Sequence, residues 1–235
     1  MQHQNNDKLQ CLVLGTSCVG KTTLCNILQD RPYIYPYIYP YTCICGVDYG
    51  NTFIERNGQK PIHLTIYDCS GDIKYYSLIV TYITKKIDLY IFVHDYYIQY
   101  SLEYIKEILP CIEMKRNSNS IYVLVTNYIK QSSNLNTKKS SYNDINRLIE
   151  NYNMFHVNHS LNNIDRSELL DYLLVPILFT FYKKYDLYNT SNNQESNNIQ
   201  YCIDNQDNEV VSSTPLVAAN KYKHNQVDIC CCYIL

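Results

Sequence analysis

The stretch "KLQCLVLGTSCVGKTTLCNILQ", residues 8–29, decides the architecture. It opens with a continuous apolar run ending at Gly15, the pattern of a strand buried on both faces of a parallel sheet. It closes with a helical segment from Lys21 to Gln29. Between them Gly15 to Thr22 spells G-x-x-x-x-G-K-[ST], with a strand before it and a helix after it, the context such a loop requires. In a loop of this kind the backbone N–H groups and the helix N-terminus surround phosphate oxygens, Lys21 neutralises them, and the Thr22 hydroxyl ligates Mg²⁺. Gly15, Ser17, Cys18, Val19, Gly20, Lys21, Thr22 and Thr23 are therefore the candidate phosphate-binding residues. Ser17 and Cys18 occupy loop positions that tolerate small side chains.

Outward from this stretch, apolar runs alternate with helical patterns. "RPYIYPYIYPYT", residues 31–42, is a tandem repeat whose prolines, four apart, exclude a helix interior and a central strand, so a loop is expected. "VDYGNTFIER" and "PIHLTIYD" read as strands joined by the turn "RNGQ". "LYIFVH" and "IYVLVT" read as buried strands, while "SLEYIKEILPCIEM" and "SYNDINRLIENY" carry helical periodicity. A last helix starts near Asp165, which has capping-box spacing to Glu168, and runs through "LLDYLLVPILFTFYKKY" with Pro176 as the place for a kink. The alternation predicts an α/β fold: a mostly parallel central sheet of about six strands, flanked by helices on both faces.

Length allows one domain of ordinary size with a tail. A formal net charge of −2 gives no reason to expect nucleic acid as a partner. Twenty-six tyrosines and no tryptophan suggest that tyrosine fills core positions that Phe fills elsewhere. The opening residues have no positive segment followed by an apolar one, and no apolar run reaches the ~18 residues of a membrane span. The 11 cysteines form no C-x-x-C couples and are expected to stay reduced, most of them as small buried hydrophobes.

The second chemical signal is "TIYDCSGDI", residues 65–73. Asp68 ends a strand and Gly71 follows at D-x-x-G spacing, which places a carboxylate where it can hold Mg²⁺ alongside Thr22, and a glycine where a terminal phosphate lies.

With these residues in view the chain resembles the small GTPases of the Ras superfamily, most closely the Rab branch, over about Lys8 to Tyr185. "CGVDY", Cys45 to Tyr49, resembles the Rab effector strand I-G-V-D-F, and "YDCSGDI" resembles W-D-T-A-G-Q-E. The resemblance implies a P-loop NTPase fold, GTP and GDP with Mg²⁺ as ligands, and effector, exchange-factor and activating proteins at the switch regions. It implies 8–185 as the GTPase domain with 31–42 inserted in switch I, after a flexible N-terminus over residues 1–7; residues 186–235, polar and Asn-rich with too few apolar residues to offset the entropy of ordering, read as a disordered hypervariable tail.

Departures from the family pattern fall on the chemistry. The switch I threonine aligns with Ile44, which offers no ligand oxygen; either that contact is lost or a shift of register brings in Thr42. The water-orienting glutamine aligns with Asp72, shorter and anionic beside phosphates, so this degenerate catalytic position, with Lys21, implies slow hydrolysis. "TNYIK" stands where the family has N-K-x-D: Asn127 is kept, the lysine is Tyr128, and the guanine-reading aspartate is Lys130, which has no acceptor to offer. Guanine selectivity is thereby open, with Tyr128 placed to stack beside the base. "VNHSLN" echoes the S-A-K loop only through Ser160. His94 and Asp95 read as a hydrogen-bonded strand-end pair rather than as catalysts.

The chain ends in "DICCCYIL". Cys232 opens a C-a-a-X box whose final leucine favours geranylgeranyl, and Cys230 and Cys231 offer a second attachment. Two lipids give durable anchoring. The polar segment before them would span about 35 to 40 Å as a flexible coil. By resemblance this implies a prenyltransferase escort, a dissociation inhibitor and a place on the cytoplasmic face of an intracellular membrane with a cytosolic pool. Three function classes follow: a Rab-like switch in vesicle traffic; a membrane-anchored pseudo-GTPase scaffold, favoured by Ile44, Asp72 and Lys130; and a P-loop kinase or ATPase, disfavoured by few arginines and the cysteine terminus.

Overall fold

A computed structural model of the chain describes residues 8–31, 45–56, 58–83, 85–115, 119–129 and 138–191, with side chains described to 184. The chain divides into two compact units, Met1–Phe181 and Tyr182–Leu235. The Pro-Tyr repeat with Thr42 and Ile44, Lys130, residues 1–7 and Cys230, Cys231 and Cys232 lie outside the described residues.

The elements are β1 (Lys8–Leu14), α1 (Lys21–Leu28), β2 (Val47–Arg56), β3 (Gln59–Cys69), a 3-10 turn (Ile73–Tyr75), α2 (Tyr76–Ile83), β4 (Leu89–Asp95), α3 (Gln99–Glu113), β5 (Ile121–Asn127), α4 (Tyr142–Tyr152), β6 (Phe155–Asn158) and α5 (Arg166–Ser191). They form one six-stranded sheet in the order β2-β3-β1-β4-β5-β6, with β2 antiparallel to β3 and every other pairing parallel. This is the expected α/β architecture. The sequence reading did not include α2 or β6: residues 76–83 are apolar without a clear helical stripe, and four residues are too few to show a period. α5 continues through Pro176, whose carbonyl accepts the Thr180 hydroxyl at 2.6 Å.

Alternation along the strands creates two cores. Val13, Ile66, Ile91, Val93 and Val125 face α1 and α5, meeting Leu24, Leu28, Leu169, Leu173 and Ile177. Leu12, Leu14, Phe92 and Leu124 face α2, α3 and α4, meeting Ile79, Ile83, Ile105, Leu109 and Ile145. β4 and β5 are buried at every position because helices cover both their faces, which is why both read as unbroken apolar runs. Each of these aliphatic side chains contributes about 1.5–3 kcal/mol by leaving water. Tyrosine does fill the core: Tyr90 and Tyr122 pack with Phe92, the two edge-to-face contacts at 5.6 Å, and the Tyr90 hydroxyl reaches the Ile83 carbonyl at 3.4 Å. Of the six described cysteines, Cys11, Cys25 and Cys69 are buried, Cys111 is half-buried, and Cys18 and Cys45 are exposed, so burial is less general than the composition suggests.

Two devices aim the C-terminal edge of the sheet. Asp165 accepts the Glu168 N–H at 2.9 Å, one half of the expected capping box, while the Glu168 carboxylate lies 3.1 Å from His159 Nε2 instead of turning back. Arg166 donates to the Leu28 carbonyl at 3.1 Å and to Thr52 at 3.2 Å, tying the start of α5 to the end of α1 and to β2. The winding of the sheet reverses beside β1, so the loop leaving β1 opens at the switch point where ligands bind in such sheets.

Candidate functional site

The loop between β1 and α1 holds a backbone that few residues adopt. Cys18 has φ +64° and Gly20 φ +102°, and a Cβ on Gly20 would lie 2.5 Å from the Asn127 amide nitrogen. Gly20 therefore has to be glycine on both counts. The N-terminus of α1 carries no side-chain cap, so its first N–H groups are left to an anion at the positive end of the helix dipole. Lys21 is buried, and its ammonium donates to the Thr16 carbonyl at 2.6 Å across the loop. Burial lowers its pKa and the Asp68 carboxylate partly restores it. A cation held in a low-dielectric cradle of N–H groups is the arrangement that receives phosphate oxygens.

Asp68 comes from the end of β3. Its carboxyl is buried, which pushes its pKa up to about 6, while a hydrogen bond with Thr22 and the charge on Lys21 pull the other way. One oxygen, Oδ1, is buried without a hydrogen-bond partner. A buried carboxylate oxygen in that condition beside a threonine hydroxyl fits a hard divalent cation, which takes oxygen ligands. Thr22 and Asp68 are the residues that would hold Mg²⁺; when bound, the ion neutralises charge on phosphate oxygens. Asp48, cross-strand from Asp68 in the β2–β3 register, adds a second acidic group that raises Asp68 further. The hairpin register, not the motif, reveals that residue.

Gly71 joins the two halves of the site. A Cβ there would lie 2.2 Å from the Ser17 N–H nitrogen, so the segment after Asp68 lies directly on the phosphate loop and admits no side chain. Ser70 N–H donates to the Gly46 carbonyl at 2.7 Å, which holds the start of β2 to the same segment.

Asp72 is turned outward. Its carboxylate accepts the Lys74 N–H at 3.1 Å, capping the 3-10 turn, and lies 2.8 Å from the Lys74 ammonium. These contacts hold its pKa below the usual carboxylate range. A side chain engaged this way caps the turn.

Asn127 is buried at the end of β5 with both ends of its amide in use: Nδ2 donates to the Val19 carbonyl at 2.9 Å and Oδ1 accepts the Leu161 N–H at 2.9 Å. It clips the phosphate loop to the loop after β6, and Leu161 is a partner no sequence motif marks. The Tyr128 ring packs against Tyr96 at 5.2 Å, and its hydroxyl donates to Asn158 Oδ1 at 2.5 Å. Ser160 donates to the Tyr128 carbonyl at 3.3 Å. His94 and Asp95 are buried and engaged elsewhere: Asp95 Oδ1 accepts the Tyr97 N–H at 3.0 Å, His94 Nε2 lies 2.8 Å from the Thr126 hydroxyl, which lies 2.8 Å from His156 Nε2, and burial lowers the two rings to about 3 and about 4.

The geometry brings Gly15 to Thr23, Asp68 and Gly71 together around one cradle, with Asn127 and Tyr128 on its far side. No curated protein matches the chain. The model of the Ras family matches residues 10–169, more than half of its length and the whole of this cradle. The chain therefore belongs to the Ras family, small GTP-binding switch proteins that take a guanine nucleotide with Mg²⁺ and work through regulators and effectors.

Proposed function

We propose that the chain is a Rab-like switch of vesicle traffic: a GTPase domain over residues 8–185 on a tail, 186–235, that carries geranylgeranyl on Cys230, Cys231 or Cys232 and holds it to the cytoplasmic face of an intracellular membrane. The observation that carries the switch chemistry is the direct contact of Gly71 with the phosphate loop beside the unpartnered Asp68 oxygen. A terminal phosphate and its cation placed there would be felt by both segments flanking Asp68. The exposed Tyr49 and Phe53 of β2, and Ile73 and Leu78 around α2, support an effector surface whose arrangement follows the bound nucleotide. "GVDY" and the terminal cysteines support the Rab branch, and with it the prenyltransferase escort and dissociation inhibitor.

Hydrolysis is slow in this reading, because Asp72 is shorter than glutamine and anionic beside phosphates, so it places the attacking water poorly and an activating protein has to supply a catalytic group. Asp72→Gln should accelerate single-turnover GTP cleavage; an unchanged rate would remove that position from the chemistry. The nucleotide that copurifies, and its release on chelation, tests the switch itself: GTP or GDP leaving with EDTA supports it. Replacing the three terminal cysteines with serine should move the protein to the soluble fraction, and continued membrane pelleting would defeat the lipid anchor.

A second reading, a membrane-anchored pseudo-GTPase scaffold, is favoured by the engagement of Asp72 with Lys74 and by Ile44 and Lys130 in the sequence. Folded protein that carries no nucleotide through purification and takes up none afterwards would support it.

A further inference from the structure

Cations line one edge of the sheet, the edge opposite the phosphate loop. β2 ends at Arg56, β3 begins with Gln59 and Lys60, β1 begins at Lys8, Lys85 and Lys86 lie just before β4, and Lys115 follows α3 on the way to β5. β1, β3, β4 and β5 run parallel, so their starts share an edge, and β2, antiparallel to β3, brings its end to it. In the sheet these strands are consecutive, β2-β3-β1-β4-β5. At about 4.8 Å between strands the row is about 20 Å long. Lys8, Lys60, Lys86 and Lys115 are exposed. Lys85 is exposed as well, but its ammonium turns back over the Tyr82 ring at 3.7 Å.

Acids interrupt the row little. Asp88, just before β4, is buried, and its carboxylate accepts the Gln10 N–H at 2.9 Å. Glu55 precedes Arg56 on β2, Glu113 ends α3, and the sixth strand, β6, brings no cation and follows Glu150 of α4. The formal net charge of −2 therefore conceals a basic edge. Cations on neighbouring strands stand within about one Debye length, roughly 8 Å at physiological ionic strength, so their fields add where a single exposed lysine is screened.

The course of the chain indicates what this edge meets. Phe181, the last residue of the first compact unit, lies beneath Arg56, with 4.4 Å from guanidinium carbon to ring centre. Residues 182–235 therefore start from the basic edge. In the lipid-anchor reading above, on which this inference rests, they end at a membrane leaflet that carries anionic headgroups. We propose that the edge formed by Arg56, Lys60, Lys8, Lys86 and Lys115 is a docking surface for those headgroups. Docked there, the domain holds its nucleotide cradle, at the other ends of the strands, away from the lipid.

Full chain made without prenyl groups should cosediment with vesicles of phosphatidylcholine and phosphatidylserine but not with pure phosphatidylcholine, and high salt should release it. Each basic residue near such a surface contributes roughly a 5-fold gain in partitioning. Lys60→Gln, Lys86→Gln and Lys115→Gln combined should therefore weaken binding roughly 100-fold. Lys138→Gln with Lys139→Gln, exposed beside the start of α3 at the opposite edge, should leave it unchanged. Equal pelleting with both vesicle types, a triple variant that binds as wild type does, or an equal loss in the Lys138 and Lys139 variant would overturn the proposal. So would tighter binding, through the same three lysines, to a single-stranded RNA oligonucleotide than to the vesicles. Prenylation plays no part in this assay, so failure of the anchor reading, scored by the cysteine-to-serine variant, stays distinguishable from failure of the docking edge.

Discussion

Acid should destabilise this protein through two histidines held between the ends of β4 and β6. His94 on β4 and His156 on β6 are linked through the Thr126 hydroxyl, with 2.8 Å on each side, and burial is the first cause of the low pKa of each. The rings stay neutral in the folded chain down to about 3 for His94 and about 4 for His156, while an unfolded histidine protonates below 6.5. Between those limits the unfolded chain binds more protons than the folded one, so the contribution is complete above pH 6.5 and is lost as pH falls. At pH 5 each ring costs about 1.5 pH units times 1.36 kcal/mol, or roughly 2 kcal/mol, and the pair about 4 kcal/mol. That is a large part of the 5–15 kcal/mol by which a typical domain is stable.

Urea unfolding of one nucleotide-loading state at pH 7.5 and pH 5.0 reads this directly. Comparing wild type with His156→Gln cancels every other titrating group: the loss between the two pH values should shrink by about 2 kcal/mol in that variant, and by about 4 kcal/mol when His94→Gln is added. The glutamines also shift stability at pH 7.5, but only the pH dependence decides. Parallel pH profiles for wild type and the double variant would mean that the rings are not held neutral, and the burial argument would fail.

Other consequences are narrower. Asp68→Asn should abolish the slowing of nucleotide release by Mg²⁺ in a fluorescent-exchange assay, because a neutral amide holds a divalent cation far less well than the carboxylate does beside Thr22. Asn127→Ala leaves the Val19 carbonyl and the Leu161 N–H without their buried partner and should lower stability by about 2–4 kcal/mol, with faster nucleotide release in a fluorescent-exchange assay. Gly71→Ala should sharply weaken nucleotide binding while the fold survives, since its Cβ would sit 2.2 Å from the Ser17 nitrogen. Gly50→Ala is the contrast: the nearest atoms its Cβ would meet belong to the end of the Gln29 side chain, which can swing aside at the cost of its hydrogen bond to the Cys25 carbonyl, so it should change stability by about 1 kcal/mol.

The parts of the site legible in the sequence are those where one residue type alone satisfies a local requirement. Gly20 needs a positive φ and room beside Asn127, Lys21 and Thr22 follow at fixed spacing, and β4 and β5 each open with five apolar residues because both their faces are covered. Residues defined by distant partners were not legible. Leu161 meets Asn127 through its backbone, which leaves no mark on its identity, and the cross-strand position of Asp48 beside Asp68 exists only once the hairpin register is known. Asp72 was legible as a poor substitute for glutamine, but its capture by Lys74 requires the 3-10 turn.

The tyrosines join these two lessons. With 26 of them in the chain, no single one stands out from its sequence context. A tyrosine that fills a phenylalanine's volume nevertheless brings a hydroxyl, and a hydroxyl removed from water must find a partner. Tyr90 finds the Ile83 carbonyl in the core; at the sheet edge Tyr128 finds Asn158. Substituting phenylalanine throughout would preserve the packing and remove the lacing. A tyrosine that stands in for phenylalanine therefore adds a hydrogen-bond requirement to the packing that its apolar equivalent would lack.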